Sequence, residues 1–308
     1  MAPLEGITGY IYRNAYHACF EPADKYFIPF LNPNQKGKFS SRERNDILPE
    51  HNQGMYAVPQ IMTNKAEDFV RLAKQLREEF GYEEVNLNLG CPSKTVVGRH
   101  RGSGFLILTD ELNRFFEEVF ARLDMKVSVK TRTGKYSHDE WEELLDIYNR
   151  YPLEELIVHP RVQQDYYKNT PNLEAFRHAA ENSKNPLCYN GDIFTKEDYE
   201  TFHNQFPQTE TIMLGRGILR TPGLIAAIKG KEPPDKERIR HFHDNIYQGY
   251  QKTIPGEKNI LFKMKELWTY LEHSITEPKK YMKKIKKSEK LSVYEEAVNA
   301  LFAEQNLR

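Results

Sequence analysis

The sequence predicts an α/β fold: a (β/α)8 TIM barrel followed by a small all-helical C-terminal domain. Three observations carry this. Short β-rich runs alternate with amphipathic helical stretches about eight times in ~230 residues, the count and size of such a barrel. Several of the runs end in polar residues, and in these barrels the C-terminal strand ends carry the active site. After Gly230 comes the breaker-rich Lys231-Glu232-Pro233-Pro234-Asp235, beyond which no strand pattern recurs. The expected domains are therefore 1–232 and 236–308. A doubly wound sheet shares the alternation, which alone does not close a barrel.

Ala2 to Thr8 reads as strand then glycine turn, with Thr8 capping a helix that places Ile11, Ala15, Ala18 and Cys19 on one face. Lys25 to Phe30 is a second strand, and the polar run Asn32 to Asn45 a surface loop. Met55 to Gln60 is a third strand; the helix from Asn64 to Phe80 turns Phe69, Leu72, Ala73 and Leu76 inward. Glu84 to Leu89 alternates polar and apolar residues and breaks at Gly90-Cys91-Pro92. The alternation continues through helix 111–123, strand Val127 to Arg132, helix 138–150 capped by Ser137, and strand Leu156 to Arg161. Helix 173–180, strand Pro186 to Tyr189, helix 195–205 and strand Thr211 to Leu214 complete it. In the tail, apolar residues at helical spacing mark three helices, around Ile239 to Tyr250, Leu261 to Leu271 and Leu291 to Phe302.

Lys plus Arg and Asp plus Glu both total 44, so no global basic field announces nucleic acid and any such surface is local. Cys19, Cys91 and Cys188 lie far apart with no Cys-x-x-Cys spacing, which argues against zinc and disulfides and fits a reducing, cytoplasmic setting. No apolar run approaches the ~20 residues of a membrane span and the N-terminal residues show no basic-then-apolar leader pattern, so a soluble intracellular protein is expected. No cluster with metal-ligand spacing is present, so no metal is expected.

Cys91, on a glycine turn at a strand end, is presented to the barrel mouth, whereas Cys19 and Cys188 fall in apolar patterns and read as core. Gln60, Lys130, His159, Asn190 and Arg216 stand at or beside other strand ends and converge on the same mouth. Lys130 is suited to a Schiff base or to a positive charge beside an electron-rich ring, and His159 to a ligand contact or a structural role. Asn190-Gly191-Asp192 and Gly215-Arg216-Gly217 follow the last two strands, where such barrels commonly hold a phosphate. The run Lys279 to Lys287 is either a solvated helix face or a phosphate-contacting surface.

Together, Ala2-Pro3-Leu4-Glu5-Gly6-Ile7-Thr8, Asn88-Leu89-Gly90-Cys91-Pro92-Ser93, Val129-Lys130-Thr131-Arg132, His159-Pro160-Arg161, Asn190-Gly191-Asp192-Ile193 and Gly215-Arg216-Gly217 resemble the tRNA-dihydrouridine synthases in order and spacing, closest to the bacterial branch. The resemblance implies FMN-dependent reduction of a uridine in tRNA to 5,6-dihydrouridine, with NADPH as reductant. It makes Cys91 the general acid that protonates uracil carbon 5, a task for a thiol whose ordinary pKa of ~8.5 leaves it mostly protonated near neutrality. It places Asn88 on the uracil edge, Lys130 and Gln60 at the pyrimidine end of the flavin, and Pro3 and Leu4 against the isoalloxazine. His159, Asn190, Gly191, Asp192, Gly215 and Arg216 line the ribityl phosphate.

The target base must leave its stack to be reached, and Lys283, Lys284, Lys286 and Lys287, with Arg238 and Arg240, would then meet the RNA phosphates. Arg99 and Arg101, in the glycine-rich segment after the cysteine, are further candidates. After His159 the chain departs from the family's Gly-Arg-Thr-Arg pattern; Arg161, Tyr167 and Lys168 keep their places as substrate contacts, while Gln163 and Asp165 do not match. A monomer is expected. The competing readings are a flavin barrel acting on a free pyrimidine or small enone, which needs no basic tail, and a non-catalytic RNA-binding relative, which needs no Cys91 or Lys130.

Overall fold

The computed structural model describes residues 1–34 and 37–308. In chain order the elements are α1 (Tyr10–Cys19), β1 (Tyr26–Leu31), α2 (Ser41–Ile47), β2 (Ala57–Ile61), α3 (Ala66–Phe80), β3 (Glu84–Leu89), α4 (Lys94–Val97) and α5 (Thr109–Arg122). Then follow β4 (Lys126–Gly134), α6 (Trp141–Tyr148), β5 (Glu155–Val162), α7 (Leu173–Asn182), β6 (Leu187–Tyr189), α8 (Lys196–Gln205) and β7 (Thr211–Ile212). The remainder is helical: α9 (Arg216–Arg220), α10 (Leu224–Ile228), α11 (Lys236–Thr253), α12 (Glu257–Leu271), α13 (Lys279–Lys287) and α14 (Leu291–Glu304). The chain forms two compact units: Met1–Pro3, Lys25–Asp192 and Thr201–Leu214 make one, and Leu4–Asp24, Ile193–Glu200 and Gly215–Arg308 the other.

The first unit is built on a 7-stranded sheet whose spatial order follows the sequence, β1 to β7, with every neighbouring pair parallel. Sequential parallel strands require crossovers, which the helical segments between them supply. The sheet curls. Phe27 of β1 and Val58 of β2 join Ile157 of β5, Cys188 of β6, Met213 and Ala2 in one buried apolar cluster. Lys25, just before β1, reaches Glu84 of β3 at 3.1 Å and Glu155 of β5 at 3.9 Å.

Strand alternation explains which side is which. In β3, Val85, Leu87 and Leu89 lie under helices α3 and α5, whose inward faces carry Phe69, Leu72, Ala73 and Leu76, and Leu112, Phe115 and Val119. Glu84, Asn86 and Asn88 occupy the concave side, buried at 8 % exposure or less. Six buried residues with period 2 therefore satisfy two different surroundings, apolar outside and hydrogen-bonded within.

The N-terminal run that reads as a strand is not one. Pro3 lacks an N–H and Gly6 takes φ 81, so the chain turns away after two residues. Those two still bond both ways: Ala2 N–H donates to Leu214 O at 2.8 Å, and Met1 O accepts from Phe27 N–H at 3.1 Å. Thr8 does not cap α1 either; its Oγ1 accepts the Leu4 N–H at 2.8 Å, and Gly9 stands at the helix start. The segment that reads as a loop from Asn32 to Asn45 contains the start of α2, capped by a Ser40–Glu43 box; residues 35 and 36 of that segment lie outside the described residues.

In the second unit α1 packs on α11; of the expected face Ala15 and Cys19 are buried and Ile11 is half-buried, while Ala18 is exposed and Tyr12 and Tyr16 are buried in addition. The Phe242 ring meets Tyr12 edge-on at 5.4 Å and Phe20 at 4.9 Å. A Cβ on Gly249 would lie 2.6 Å from Ile11 Cγ2, so only glycine permits this approach. The helical core holds a closed polar network: Tyr294 Oη accepts from Trp268 Nε1 at 2.9 Å and meets His243 Nε2 at 2.6 Å, while His243 Nδ1 faces Asp244 at 2.8 Å. Burial pushes the His243 pKa down. Among the described residues no helix is long and apolar enough to cross a membrane.

Candidate active site

The turn after β3 is fixed from both sides. Asn88 Oδ1 accepts the N–H groups of Gly90 at 3.1 Å and Cys91 at 3.0 Å. Cys91 O accepts from Ser103 N–H at 3.1 Å and Ser103 Oγ at 2.7 Å. The loop through α4 folds back so tightly that a Cβ on Gly102 would stand 2.9 Å from Cys91 O, and one on Gly104 2.6 Å from Val97 O. The glycine-rich segment thus packs the thiol turn. Cys91 itself is half-buried, while Cys19 and Cys188 are buried, and burial raises the pKa of both. Of the three, Cys91 is placed to meet a ligand.

Behind the turn a hydrogen-bonded chain crosses the concave face of the sheet. Asn88 Nδ2 donates to Gln60 Oε1 at 2.6 Å, Gln60 Nε2 to Asn86 Oδ1 at 2.8 Å, and Asn86 Nδ2 to Ser128 Oγ at 3.0 Å. Ser128 Oγ donates to Glu84 Oε1 at 2.8 Å, and Glu84 is held by Lys25 at 3.1 Å and Tyr56 Oη at 2.9 Å. Each buried polar group finds a partner in the next, which makes the arrangement rigid and offsets the cost of burying it.

Lys130 stands apart. It pairs in register with Asn88 on one side and Ile157 on the other, and among the described residues its ammonium has no hydrogen-bond or ion-pair partner. Burial first, and the Arg132 charge second, push its pKa down to about 8. An uncompensated cation on this face is costly unless an electron-rich or anionic group meets it. It fits a ligand of that kind.

The sequence assigns Arg132 no role, yet its side chain ties together two segments of this site. It is 1 % exposed, and its Nε donates to Gly90 O, its Nη1 to Val162 O and its Nη2 to Tyr166 O, each at 2.9 Å. Its sequence signal is its place at the end of the Val129-Lys130-Thr131-Arg132 run, which assigns it no role. Tyr166 has φ 50, a backbone conformation that costs a bulky residue roughly 1–3 kcal/mol.

His159 and Arg161 follow on β5. Arg161 Nη1 bonds His159 Nε2 at 2.9 Å, which makes that nitrogen the acceptor, and the guanidinium also grips Asp192 at 3.1 and 2.5 Å and Asn169 O at 2.6 Å. The Arg161 side chain is thus committed to protein partners at 1 % exposure. Tyr167, 49 % exposed, stacks over His159 with centroids 6.0 Å apart and lies 5.4 Å from the Arg132 guanidinium. Lys168, Arg99 and His100 are exposed, and Arg101 is half-buried.

Asn190 Nδ2 donates to Met213 O at 2.8 Å, tying the end of β6 to the chain beyond β7. Pro3, Cys91, Gln60, Lys130, His159, Asn190, Gly191 and Asp192 belong to the first unit, and Leu4, Gly215 and Arg216 to the second. There the Arg216 guanidinium lies 5.5 Å from the Phe194 ring, and a Cβ on Gly217 would fall 2.1 Å from Ile193 O. Leu4 starts a turn that Lys263 of α12 braces by donating to Gly6 O at 2.7 Å.

The basic run is helix α13, which buries Tyr281, Met282 and Ile285 and exposes all six lysines. Lys286 pairs with Glu272 at 3.3 Å and Lys280 with Glu304 at 3.6 Å; among the described residues Lys279, Lys283, Lys284 and Lys287 have no ion pair. Arg240 is held by Asp244 and Asn299, both at 2.8 Å, whereas Arg238 is exposed. Among the described residues no group of three His, Cys, Asp or Glu side chains is gathered for a metal ion.

A family model described as dihydrouridine synthase matches residues 1–306. A probable tRNA-dihydrouridine synthase of Staphylococcus aureus (strain COL) is 27 % identical over 264 residues, covering 82 % of this chain and 78 % of that protein. One from Staphylococcus epidermidis (strain ATCC 12228 / FDA PCI 1200) is 28 % identical over 263 residues with the same coverage. A probable tRNA-dihydrouridine synthase 2 of Bacillus subtilis (strain 168) is 26 % identical over 264 residues, again with that coverage.

Proposed function

Because the chain belongs to the dihydrouridine synthase family, we propose that it reduces a specific uridine of tRNA to 5,6-dihydrouridine. The observation that carries the reading is the pairing of a fixed, half-buried Cys91 turn with an unpartnered Lys130 ammonium on adjacent strands of one concave face. Bound FMN, with NADPH as reductant, would supply the hydride chemistry for uracil carbon 6. Lys130 holds its positive charge against the electron-rich pyrimidine end of that ring, and Gln60, its amide fixed by Asn86 and Asn88, offers it a hydrogen bond.

Pro3 and Leu4 give it an apolar edge, and His159, Asn190, Gly191, Asp192, Gly215 and Arg216 hold its phosphate end. Cys91 releases its Sγ proton to carbon 5, so that one hydride and one proton saturate the bond. Asn88, which sets the turn, also faces the base. Arg99, Arg101, Arg161, Tyr167 and Lys168 form the substrate rim, Arg161 by holding the His159–Asp192 corner that supports it.

We assign catalysis to residues 1–232, with Met1 and Ala2 as the eighth stave of a TIM barrel, and RNA binding to 236–308, where Lys283, Lys284, Lys286 and Lys287 meet phosphates. The protein acts as a cytoplasmic monomer.

The test is dihydrouridine content of a tRNA transcript incubated with the flavin-loaded protein and NADPH, comparing the native chain with Cys91→Ala. Retained flavin and RNA binding with loss of most product supports the general acid. Equal turnover by the two proteins removes that role.

A further inference from the structure

Arg132 links two segments distant in the chain, which also meet where Gln163 Nε2 donates to Pro92 O at 3.3 Å. One is the Gly90–Cys91 turn, whose carbonyl it takes with Nε; the other is the chain leaving β5, whose Val162 and Tyr166 carbonyls it takes with Nη1 and Nη2. A guanidinium presents its donors in one rigid plane, so three carbonyls bound to it are fixed relative to one another.

Neither segment is slack. The turn is clasped from behind by Asn88 and Ser103. On the loop side Tyr166 sits at φ 50, ψ −97, a conformation that a bulky residue keeps only where its contacts impose it. One of those contacts is the Arg132 bond to Tyr166 O, and the neighbouring Tyr167 ring covers the same guanidinium at 5.4 Å. A shift of the loop is therefore delivered to the thiol turn through the Arg132 side chain, the Gln163 bond to Pro92 O being the longer contact beside it. Lysine cannot replace this link, because its ammonium is a point charge on a flexible stem without the planar fork.

We propose that Arg132 is a positioning residue that registers the Cys91 turn against the Gln163–Lys168 loop, so that the thiol takes its proton-donating place when that loop is seated. The proposal rests on the reading of Cys91 as the proton donor, and its test has readouts that do not depend on that reading.

The full chain is purified with its flavin as wild type, Arg132→Lys, Arg132→Met and Leu144→Ala, the last a truncation in the core of α6 where Leu144 is 0 % exposed. Below the thermal transition two rates are taken: alkylation of Cys91 by iodoacetamide, read on its tryptic peptide against those of buried Cys19 and Cys188, and limited tryptic cleavage after exposed Lys168. Both rates rise about tenfold in the Arg132 variants, as expected for local opening, and stay at the wild-type level in Leu144→Ala. At unchanged flavin content, kcat for uridine reduction falls about 10²-fold in Arg132→Lys, the scale of an ångström-sized misplacement.

If Arg132→Met does not fold, the lysine variant decides alone. Wild-type rates of alkylation and cleavage in Arg132→Lys overturn the proposal, as does an equal rise in Leu144→Ala. If both rates rise as expected while the wild-type protein reduces no uridine in tRNA, the link between turn and loop stands and the assigned reaction falls.

Discussion

The side-chain oxygen of Asn88 accepts the backbone N–H of Cys91 at 3.0 Å. One residue of β3 thereby sets the orientation of the peptide three positions on, and its own amide is set in turn by Gln60 at 2.6 Å. Position on the strand, turn geometry and placement of the thiol are one structural fact.

Asn88→Ala therefore removes the acceptor of the Gly90 and Cys91 N–H groups and the donor to Gln60 Oε1. Each lost bond at a buried site costs of the order of 1–3 kcal/mol, so the urea midpoint falls measurably and dihydrouridine formation falls with it. Asn88→Asp keeps both acceptor bonds to the turn but sets a carboxylate oxygen against Gln60 Oε1, acceptor facing acceptor, where Asn88 donated. Its midpoint lies between those of wild type and Asn88→Ala; a midpoint below that of the alanine variant contradicts the turn-holding role.

The Lys130 pKa of about 8 gives a pH prediction with a definite sign. An unfolded lysine titrates near ~10.4, so between about pH 8 and that value the unfolded chain binds more protons than the folded one, and stability rises with pH. Below pH 8 both states are charged and the full burial cost is present. In flavin-free protein Lys130→Met should thus be stabilising at pH 7, by on the order of 3 kcal/mol, with the advantage fading to nothing near pH 10.4. Denaturant midpoints of the two proteins across this range check it, and a constant offset would contradict it. In flavin-loaded protein the same substitution weakens retention of the cofactor.

In the helical unit, Tyr294 Oη is the shared partner of Trp268 Nε1 and His243 Nε2. Tyr294→Phe leaves both buried groups unsatisfied with almost no change of volume, so its cost isolates the hydrogen bonds. We expect a loss of roughly 2–4 kcal/mol in urea unfolding. A loss below ~0.5 kcal/mol would mean that the hydroxyl is dispensable.

How much of this is legible in the amino-acid order depends on what leaves a trace there. The strand Glu84 to Leu89 reads with its observed bounds because two opposed surroundings impose a strict alternation. Ala2 to Thr8 carries the composition of a strand, but Pro3 and Gly6 limit its pairing to two backbone bonds. Helix α2 hides in a polar run, although Ser40-Ser41-Arg42-Glu43 carries the spacing of a capping box. Arg132 escapes notice for a different reason: its three partners are backbone carbonyls, which have no residue type to betray them.

Helix α13 shows what structure adds to a charge run. Six lysines fall on its exposed side, but Lys280 and Lys286 already face Glu304 and Glu272, and Arg240 is held by Asp244. Of Lys283, Lys284, Lys286 and Lys287, phosphate binding should therefore rest on the three without an ion pair among the described residues, Lys283, Lys284 and Lys287. Replacing these three by serine should weaken tRNA binding and lower the slope of log affinity against log salt by about one for each phosphate that is no longer neutralised. Lys286→Ser alone should change the slope little, since that ammonium is held by Glu272. Binding measured between 50 and 200 mM salt, roughly the range over which such slopes are resolved, checks both. An unaltered slope in the triple variant would take this helix out of the RNA surface, and a larger effect from Lys286 alone would mean that its pair with Glu272 opens when RNA arrives.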